Sequence, residues 1–308
     1  MISGAAGRPP LAFAEAIELR LSYRPPYDWA AIRAFLAKRA IPGVEATDPA
    51  AVYARTISIA GRYGLVTVEP GGDGLRATLR GVGADDAPAV AGRLRRLFDC
   101  DANPATIAGC LAGDPVLAPL VTARPGLRLP GAWDPFETGC RAILGQQVSV
   151  AAAIGLAGKL VAAFGTPLAE PVGGLTHIFP APADLVEADV ALALNMPRAR
   201  GAAIRALAAA VLADPDLFAP AESLEDAVQR FTAIRGIGPW TAQYIAMRAL
   251  KLPDALPVGD VGLLRALETG SGRPSPAELL ARAEAWRPYR AYAAQHLWAA
   301  DEAAVKGR

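Results

Sequence analysis

Strand-like alternation of apolar and polar residues is confined to the first part of this chain, and this limits the folds open to it. The alternating segments, each with the period of two that a half-buried strand requires, are 13–22, 55–60, 64–70 and 75–81. The tetrapeptide GGDG (71–74) separates the last two as a hairpin turn. Helices are predicted at 29–40, with Asp28 as a candidate N-cap, and at about 86–99. The order β-α-β-β-β-α favours an antiparallel sheet with helices on one face.

Helical periodicity dominates the rest of the chain, after a connector rich in proline and glycine at 120–131. The predicted helices span 135–145, 148–164, 182–194, 198–213, 223–232, 240–251, 261–268, 275–285 and 288–302. The predicted fold class is therefore α+β, with an antiparallel sheet domain followed by an all-α domain. We divide the chain into a loose tail at 1–12, an α+β domain at 13–110 and a helical domain at 111–308.

The composition excludes several classes of protein. Lys and Arg number 31 against 30 Asp and Glu, so the net charge of +1 excludes a generally cationic DNA-packaging protein but allows a local basic face. The cysteines Cys100, Cys110 and Cys140 are widely spaced without a CxxC pair, which argues against a disulfide framework or a zinc site. The sequence shows neither a secretory signal nor a transmembrane stretch of about 18 apolar residues. We therefore expect a cytoplasmic protein that does not bind membranes.

The most informative motif is RGIGP (235–239), which joins two predicted helices, the second of which starts at Trp240. Gly236 and Gly238 carry no side chain that would keep a ligand from the backbone N–H groups. The first turn of the second helix, including the Thr241 hydroxyl, adds donors and a partial positive charge that suit an anion. The hairpin is thus a candidate phosphate-binding site, and an ordinary corner between two helices is the alternative.

The pattern around this motif, AIRGIGPWTAQYIAMR (233–248), resembles the helix-hairpin-helix of the DNA glycosylase superfamily that also has a Gly/Pro-rich segment and an aspartate. Three further segments resemble the bacterial DNA-3-methyladenine glycosylase II family: PPYDWAAIRAFLAKRAIPGVE (25–45), ARPGLRLPGAWDPFETGCRAILGQQVSVAAA (123–153) and WRPYRAYAAQHLW (286–298). The resemblance extends over residues 13–305. It implies a TATA-binding-protein-like sheet domain and a helical glycosylase domain, with the helix-hairpin-helix at 223–251. The methyltransferase domain that some members carry is not expected here.

The resemblance gives roles to four aromatic residues. Relatives in the superfamily that cleave the DNA strand carry a nucleophilic lysine at the position of Trp240. Because tryptophan cannot form a Schiff base, the resemblance implies a monofunctional enzyme, which releases the base without cleaving the strand. Trp240 and Tyr244 are one helical turn apart and would present ring faces to an extruded base, above all to a positively charged one. Trp298 and Phe35 match two more pocket residues of the family. The alternative is that Trp240 and Tyr244, like Phe35, pack in the core.

Asp260, in LPVGDVGLLRAL (256–267), matches the family's essential aspartate. Its place between a Pro/Gly turn and a predicted helix is also that of an ordinary N-cap, which is the alternative. The chemistry agrees with a lone carboxylate, because an alkylated purine such as 3-methyladenine is already cationic and leaves without protonation. The sugar develops positive charge, and an ionised Asp260 would stabilise that charge or position the attacking water.

The resemblance also implies a wedge, a cation site and a DNA partner. In ILGQQVSV (143–150), Gln147 stands where the family usually inserts a leucine into the gap left by the extruded base, and a simple turn between helices is the alternative. The backbone carbonyls of Ile234 and Ile237 match a site for Na+ or K+. No cofactor is required, and no iron–sulfur cluster is expected, because no run of four cysteines follows the helical domain. The expected partner is double-stranded DNA with alkylated bases, bound by a monomer.

Three functions remain open on this basis. The leading hypothesis is a monofunctional DNA glycosylase for base excision repair, which flips out alkylated, cationic purines such as 3-methyladenine and 7-methylguanine and leaves an abasic site. A non-catalytic damage-binding protein would keep the hairpin and the pocket. A glycosylase for deaminated or oxidised bases would need an acid to protonate a neutral leaving group, and the sequence indicates no such acid.

Overall fold

The computed structural model describes residues 16–47, 52–270 and 272–306, so the predicted tail at 1–12 lies outside the described residues. The first part of the described chain is a five-stranded sheet with two helices. Its elements are β1 (Ile17–Ser22), α1 (Trp29–Lys38), β2 (Glu45–Thr47), β3 (Tyr53–Ile59), β4 (Arg62–Pro70), β5 (Gly74–Arg80) and α2 (Ala87–Leu97). Neighbouring strands pair in the order β1-β5-β4-β3-β2, and every pair is antiparallel, as predicted.

Local signals explain where these elements begin and turn. The Asp28 carboxylate accepts a hydrogen bond of 2.9 Å from the Ala31 N–H, which confirms the predicted N-cap of α1. In the predicted turn at 71–74, the Gly71 N–H donates to the Gly74 carbonyl at 2.9 Å. Most buried apolar residues of the sheet pack with α1 and α2 in one core. Leu65 on β4 belongs instead to a small second cluster with Leu168, Leu175 and Ile178.

The rest of the described chain is mainly helical. Its helices are α3 (Pro104–Leu111), α4 (Leu117–Ala123), α5 (Pro135–Leu144), α6 (Val150–Phe164), α7 (Pro182–Leu185), α8 (Val190–Leu194), α9 (Arg198–Ala213), α10 (Leu224–Thr232), α11 (Pro239–Arg248), α12 (Val261–Ala266), α13 (Pro276–Ala283) and α14 (Arg290–Lys306). Helix α11 lies between two cores, with Ala242 and Ile245 in one and Ala246 and Met247 in the other. This burial on two sides fixes the orientation of the helix that follows the hairpin. No helix among these residues is both long and apolar enough to cross a bilayer.

A strand pair that the sequence pattern did not predict joins the helical part to the N-terminal sheet. The two antiparallel strands are β6 (Thr166–Val172) and β7 (Leu175–Ile178). Gly173 and Gly174 form the turn with φ of +56° and +86°, a conformation that favours glycine. The N–H groups of Thr176 and His177 both donate to the Gly43 carbonyl, at 2.7 and 3.0 Å. The segment after α6 is therefore bound to the connection between α1 and β2.

Two other parts of the helical prediction need correction. The predicted helix at 182–194 is wrong, since two short helices, α7 and α8, replace it. The Asp189 carboxylate accepts from the Leu192 N–H at 3.1 Å and so caps a new helix within the predicted one. The connector predicted at 120–131 begins inside α4, which spans Leu117–Ala123. Neither α3 nor α4 was predicted. These helices, of 8 and 7 residues, are too short to show a clear period.

Buried charges connect the sheet to α5. Arg55 on β3 donates to Glu137 at 2.6 Å, and Arg141 donates to Glu45 at 2.7 Å and to Glu137 at 3.1 Å. The Tyr53 hydroxyl donates to Glu45 at 2.6 Å. We call these five residues the buried charge network. Because a buried charge is costly without a partner, the network fixes the position of α5, whose C-terminal end leads to the candidate wedge.

Candidate active site

The hairpin between α10 and α11 presents its backbone at the surface. Gly236 has a φ of +89°, and a Cβ on it would lie 2.5 Å from the Cβ of Ala203, so only glycine fits there. Gly238 is the N-cap of α11, and a Cβ there would meet no atom within 4 Å. The N–H groups at the start of α11 are therefore open to an anion. Thr241, by contrast, is 2% exposed, and its side chain lies behind that surface.

Asp260 lies between α11 and the C-terminal helix α14. Its Oδ1 accepts from the Leu263 N–H at 3.1 Å and from the Trp298 indole N–H at 2.8 Å. Its Oδ2 accepts from the Trp240 indole N–H at 3.3 Å. The carboxylate therefore caps α12 and is at the same time held between two tryptophans. The two interpretations of Asp260, helix cap and site residue, are geometrically compatible.

A cavity of about 660 Å³ opens beside this carboxylate. Its volume is typical of small-molecule pockets, which measure about 300–1,000 Å³. Trp240, Tyr244, Trp298 and Asp260 all line the cavity. The rings of Trp240 and Tyr244 stack with centroids 5.4 Å apart and planes 10° apart, so they form one aromatic wall. The structure thus brings together four of the residues that the sequence assigned to one pocket.

Arg248 is a residue of this site that sequence reasoning missed. The carbon of its guanidinium lies 4.7 Å from the ring centroid of Phe35, 5.5 Å from that of Tyr244 and 5.3 Å from that of Trp298. Phe35 is not one of the described residues that line the cavity. Its ring packs against the Arg248 guanidinium, which also lies near the rings of Tyr244 and Trp298. A signal was present in the sequence, because Arg248 follows Tyr244 by four residues, one turn of the same helix.

Positive charges surround the Tyr244 phenol. Burial raises its pKa, but Arg248, Arg39 and Arg141 outweigh burial and hold the pKa below the ordinary value of a tyrosine. Arg39 lies 3.3 Å from Glu302, and Arg141 belongs to the buried charge network. Arg248 is 3% exposed, and burial lowers its pKa. The cavity thus combines one carboxylate between tryptophans with guanidinium groups near Tyr244.

Gln147 lies at the surface between α5 and α6 and has a φ of +56°. Val148 beside it is 37% exposed and lines the cavity. Helix α6 begins at Val150, two residues after the predicted start, because the Ser149 hydroxyl caps it by accepting from the Ala152 N–H at 3.2 Å. The candidate wedge is therefore an exposed turn at the edge of the cavity.

The carbonyls suggested for a cation belong to the same hairpin. The Ile234 carbonyl accepts a hydrogen bond of 3.1 Å from the Ile237 N–H, which leaves it a second lone pair. Within residues 16–47, 52–270 and 272–306, no group of three or more His, Cys, Asp or Glu side chains could hold a metal ion. A site made of backbone carbonyls stays a prediction.

Comparison with solved structures defines the class of fold. The chain superposes on the 3-methyladenine DNA-glycosylase from Archaeoglobus fulgidus with a TM-score of 0.80, covering 92% of this chain and 98% of that one at 23% identity. At this identity the likeness shows the fold alone. The sheet, the helices and the hairpin together are thus the fold of the helix-hairpin-helix glycosylases.

Comparison of sequences defines the family. Residues 18–134 match the family described as the AlkA N-terminal domain. The chain is 37% identical over 284 residues to DNA-3-methyladenine glycosylase 2 of Escherichia coli (strain K12), with 90% of this chain and 95% of that protein covered. The chain is also 40% identical over 288 residues to a probable bifunctional transcriptional activator/DNA repair enzyme AlkA of Mycobacterium tuberculosis (strain CDC 1551 / Oshkosh). That match covers 93% of this chain, which spans 58% of the length of the relative. The chain belongs to the DNA-3-methyladenine glycosylase II family, which confirms the resemblance.

Proposed function

We propose that the protein is a monofunctional DNA glycosylase that releases alkylated, cationic purines from double-stranded DNA and leaves an abasic site. The observation that carries this proposal is the Asp260 carboxylate, held by two indole N–H groups beside a cavity large enough for a base. The name of the Escherichia coli relative supports the same activity.

The proposed reaction breaks the bond between the base nitrogen and the sugar carbon. Positive charge develops on the sugar as this bond opens, and the ionised Asp260 stabilises it. Water adds to the sugar carbon and gives up a proton, while the bonding electron pair leaves with the base. A cationic purine becomes neutral by taking this electron pair, so its departure needs no general acid. Because Trp240 and Trp298 hold the carboxylate, it does not have to reorganise during the reaction.

The aromatic wall supports selection of a cationic base. A cation over the face of an aromatic ring is stabilised by about 0.5–2 kcal/mol. Arg248 donates its hydrogen bonds to neutral partners, the Pro130 carbonyl at 2.9 Å and the Gln295 side chain at 3.0 Å. Because these partners do not compensate its positive charge, Arg248 repels a cation at the Tyr244 end of the cavity. We therefore place the positive part of the base toward Trp240 and Asp260.

The hairpin supports binding of the DNA backbone. Open N–H groups near Gly236 and Gly238 suit a phosphate, and contacts of this kind weaken as the salt concentration rises. Trp240 supports the monofunctional mechanism, because an indole provides no amine to attack the sugar and cleave the strand.

The proposal also assigns a role to Gln147, a cation to the hairpin, and a compartment and oligomeric state to the protein. Gln147 would enter the gap that the extruded base leaves. The carbonyls of Ile234 and Ile237 would hold Na+ or K+, and the reaction uses no cofactor or iron–sulfur cluster. We place this activity in a cytoplasmic monomer that acts on DNA with alkylated bases.

The proposed activity is tested with a panel of substrates: DNA treated with dimethyl sulfate, and matched duplexes carrying hypoxanthine or 8-oxoguanine. We expect rapid release of 3-methyladenine and 7-methylguanine, slower release of the neutral bases, and intact strands until alkali is added. Binding without release from any substrate would indicate a damage-binding protein. Preferred release of hypoxanthine or 8-oxoguanine would indicate the other class of glycosylase, and strand cleavage without alkali would contradict the monofunctional mechanism.

Gly262→Ala is expected to slow base release about tenfold without unfolding the protein. A Cβ at Gly262 would lie 3.1 Å from the Asp260 Oδ1 and 3.2 Å from the Trp298 Cδ1, so these groups must move by a few tenths of an ångström. The single-turnover rate on methylated DNA measures the effect. Gly259→Ala is the matched control, since a Cβ there meets no atom within 4 Å. Equal rates for the two variants would show that the position of the carboxylate is not critical.

A further inference from the structure

Gln146 connects the loop at 145–149 to the hairpin. Its side-chain amide donates to the Gly236 carbonyl at 3.1 Å and to the Thr241 hydroxyl oxygen at 3.0 Å. Its backbone carbonyl accepts a hydrogen bond of 2.7 Å from Arg200 on α9. One residue therefore joins the end of α5, the hairpin and α9.

The groups that the Gln146 amide contacts are themselves held in place. Gly236 packs so closely on α9 that a Cβ would lie 2.5 Å from the Ala203 Cβ. Thr241 is 2% exposed and belongs to α11, which packs against two cores. Because the interior is close-packed, these partners give the amide a fixed position. The hydrogen bonds therefore set the position of the loop relative to the hairpin.

The backbone of the next residue is strained. Gln147 is exposed and has a φ of +56°, in the left-handed region that non-glycine residues rarely adopt. Such a conformation persists only where the surrounding structure imposes it, and it is frequent at functional sites. The hydrogen bonds of Gln146, made on both its side chain and its carbonyl, supply this restraint directly before Gln147.

We propose that Gln146 is a positioning residue that sets the distance between the hairpin and Gln147. The hairpin then binds the DNA backbone at the same time as Gln147 enters the gap left by the extruded base. This inference rests on the proposed glycosylase function. Hairpin contacts with phosphates are the same on any duplex, whereas the contact of Gln147 forms only where a base is missing from the stack. Gln146 therefore controls the preference for DNA with a gap and not the affinity for intact DNA.

The test compares dissociation constants for two duplexes of the same sequence, one intact and one with a single tetrahydrofuran abasic-site analogue. Gln146→Met removes the amide donors and keeps the length of the side chain. We expect the preference for the abasic duplex to fall about tenfold, the effect of losing one or two hydrogen bonds, with unchanged affinity for the intact duplex. Gln229→Met makes the same change on an exposed face of α10 and should leave both affinities at their wild-type values.

A second variant keeps the proposal testable if Gln146→Met folds poorly, which its thermal unfolding curve would show. Arg200→Met removes the hydrogen bond to the Gln146 carbonyl together with one positive charge. The lost charge should weaken binding to both duplexes equally, and the lost hydrogen bond should in addition lower the preference for the abasic duplex. An equal loss of affinity for both duplexes, or an unchanged preference in both variants, overturns the proposal. Neither dissociation constant depends on catalysis, so a wild type that binds in this way but releases no base would count against the proposed function alone.

Discussion

Asp260→Asn is expected to release methylated purines about 10²- to 10³-fold more slowly than the wild type. Asparagine is also a good N-cap, so α12 should still begin at the same residue. Its neutral amide offers no negative charge to the developing sugar cation, and its NH₂ group would meet the indole N–H of Trp240 or Trp298. The single-turnover rate of base release from DNA treated with dimethyl sulfate measures the effect.

Two comparisons distinguish lost chemistry from lost binding. The affinity of Asp260→Asn for a duplex with an abasic-site analogue should stay close to the wild-type value, because the hairpin is unchanged. Asp189→Asn is a matched control, since Asp189 also caps a helix, through the Leu192 N–H at 3.1 Å, but lies outside the residues that line the cavity. Full release of base by Asp260→Asn would rule out a catalytic role for this carboxylate.

The fold was predictable where the chain forms long elements with a regular period. The four predicted strands, as far as the described residues include them, and the helix now defined as Arg198–Ala213 have strong patterns of their own and are confirmed. The edge strand β2, of only three residues, was not predicted. The strand pair at Thr166–Val172 and Leu175–Ile178 was not predictable, because its contact with the Gly43 carbonyl involves a residue far away in the sequence. The domain limit at 110 stays a prediction.

The site was predictable in part. Helical spacing places Trp240 and Tyr244 on one face, but only the resemblance connected them with Asp260 and Trp298. The two indole hydrogen bonds to the carboxylate depend on how α11, α12 and α14 pack, and no local pattern records that packing. Arg248 was missed because a long cationic side chain in a helix is usually read as a solvated residue. The roles of all these residues in catalysis and binding stay predictions.

Arg55→Met is expected to lower the free energy of unfolding by about 3–5 kcal/mol, the largest effect on stability that we predict. Arg55 is 2% exposed and lies 2.6 Å from Glu137 and 3.8 Å from Glu45. Methionine fills a similar volume, so the main loss is the positive charge that compensates two buried carboxylates. Urea unfolding measures the change. Arg76→Met is the matched control, since its ion pair with Glu69 is exposed and its loss should change stability little.

The pH dependence of this effect distinguishes lost charge compensation from lost packing. Burial raises the pKa of Glu45, but Arg141 and Arg55 outweigh it and lower the pKa from 4.5 to about 2. In the wild type Glu45 therefore adds stability above its unfolded pKa, and this stability is lost as the pH falls toward 2. Without Arg55 the pKa of Glu45 rises, so the variant has less of this stability to lose. The difference in unfolding free energy between wild type and Arg55→Met should thus shrink between about pH 6 and about pH 3. A difference that does not change with pH would mean that Arg55 stabilises the fold by packing, and that the charges joining the sheet to α5 contribute little.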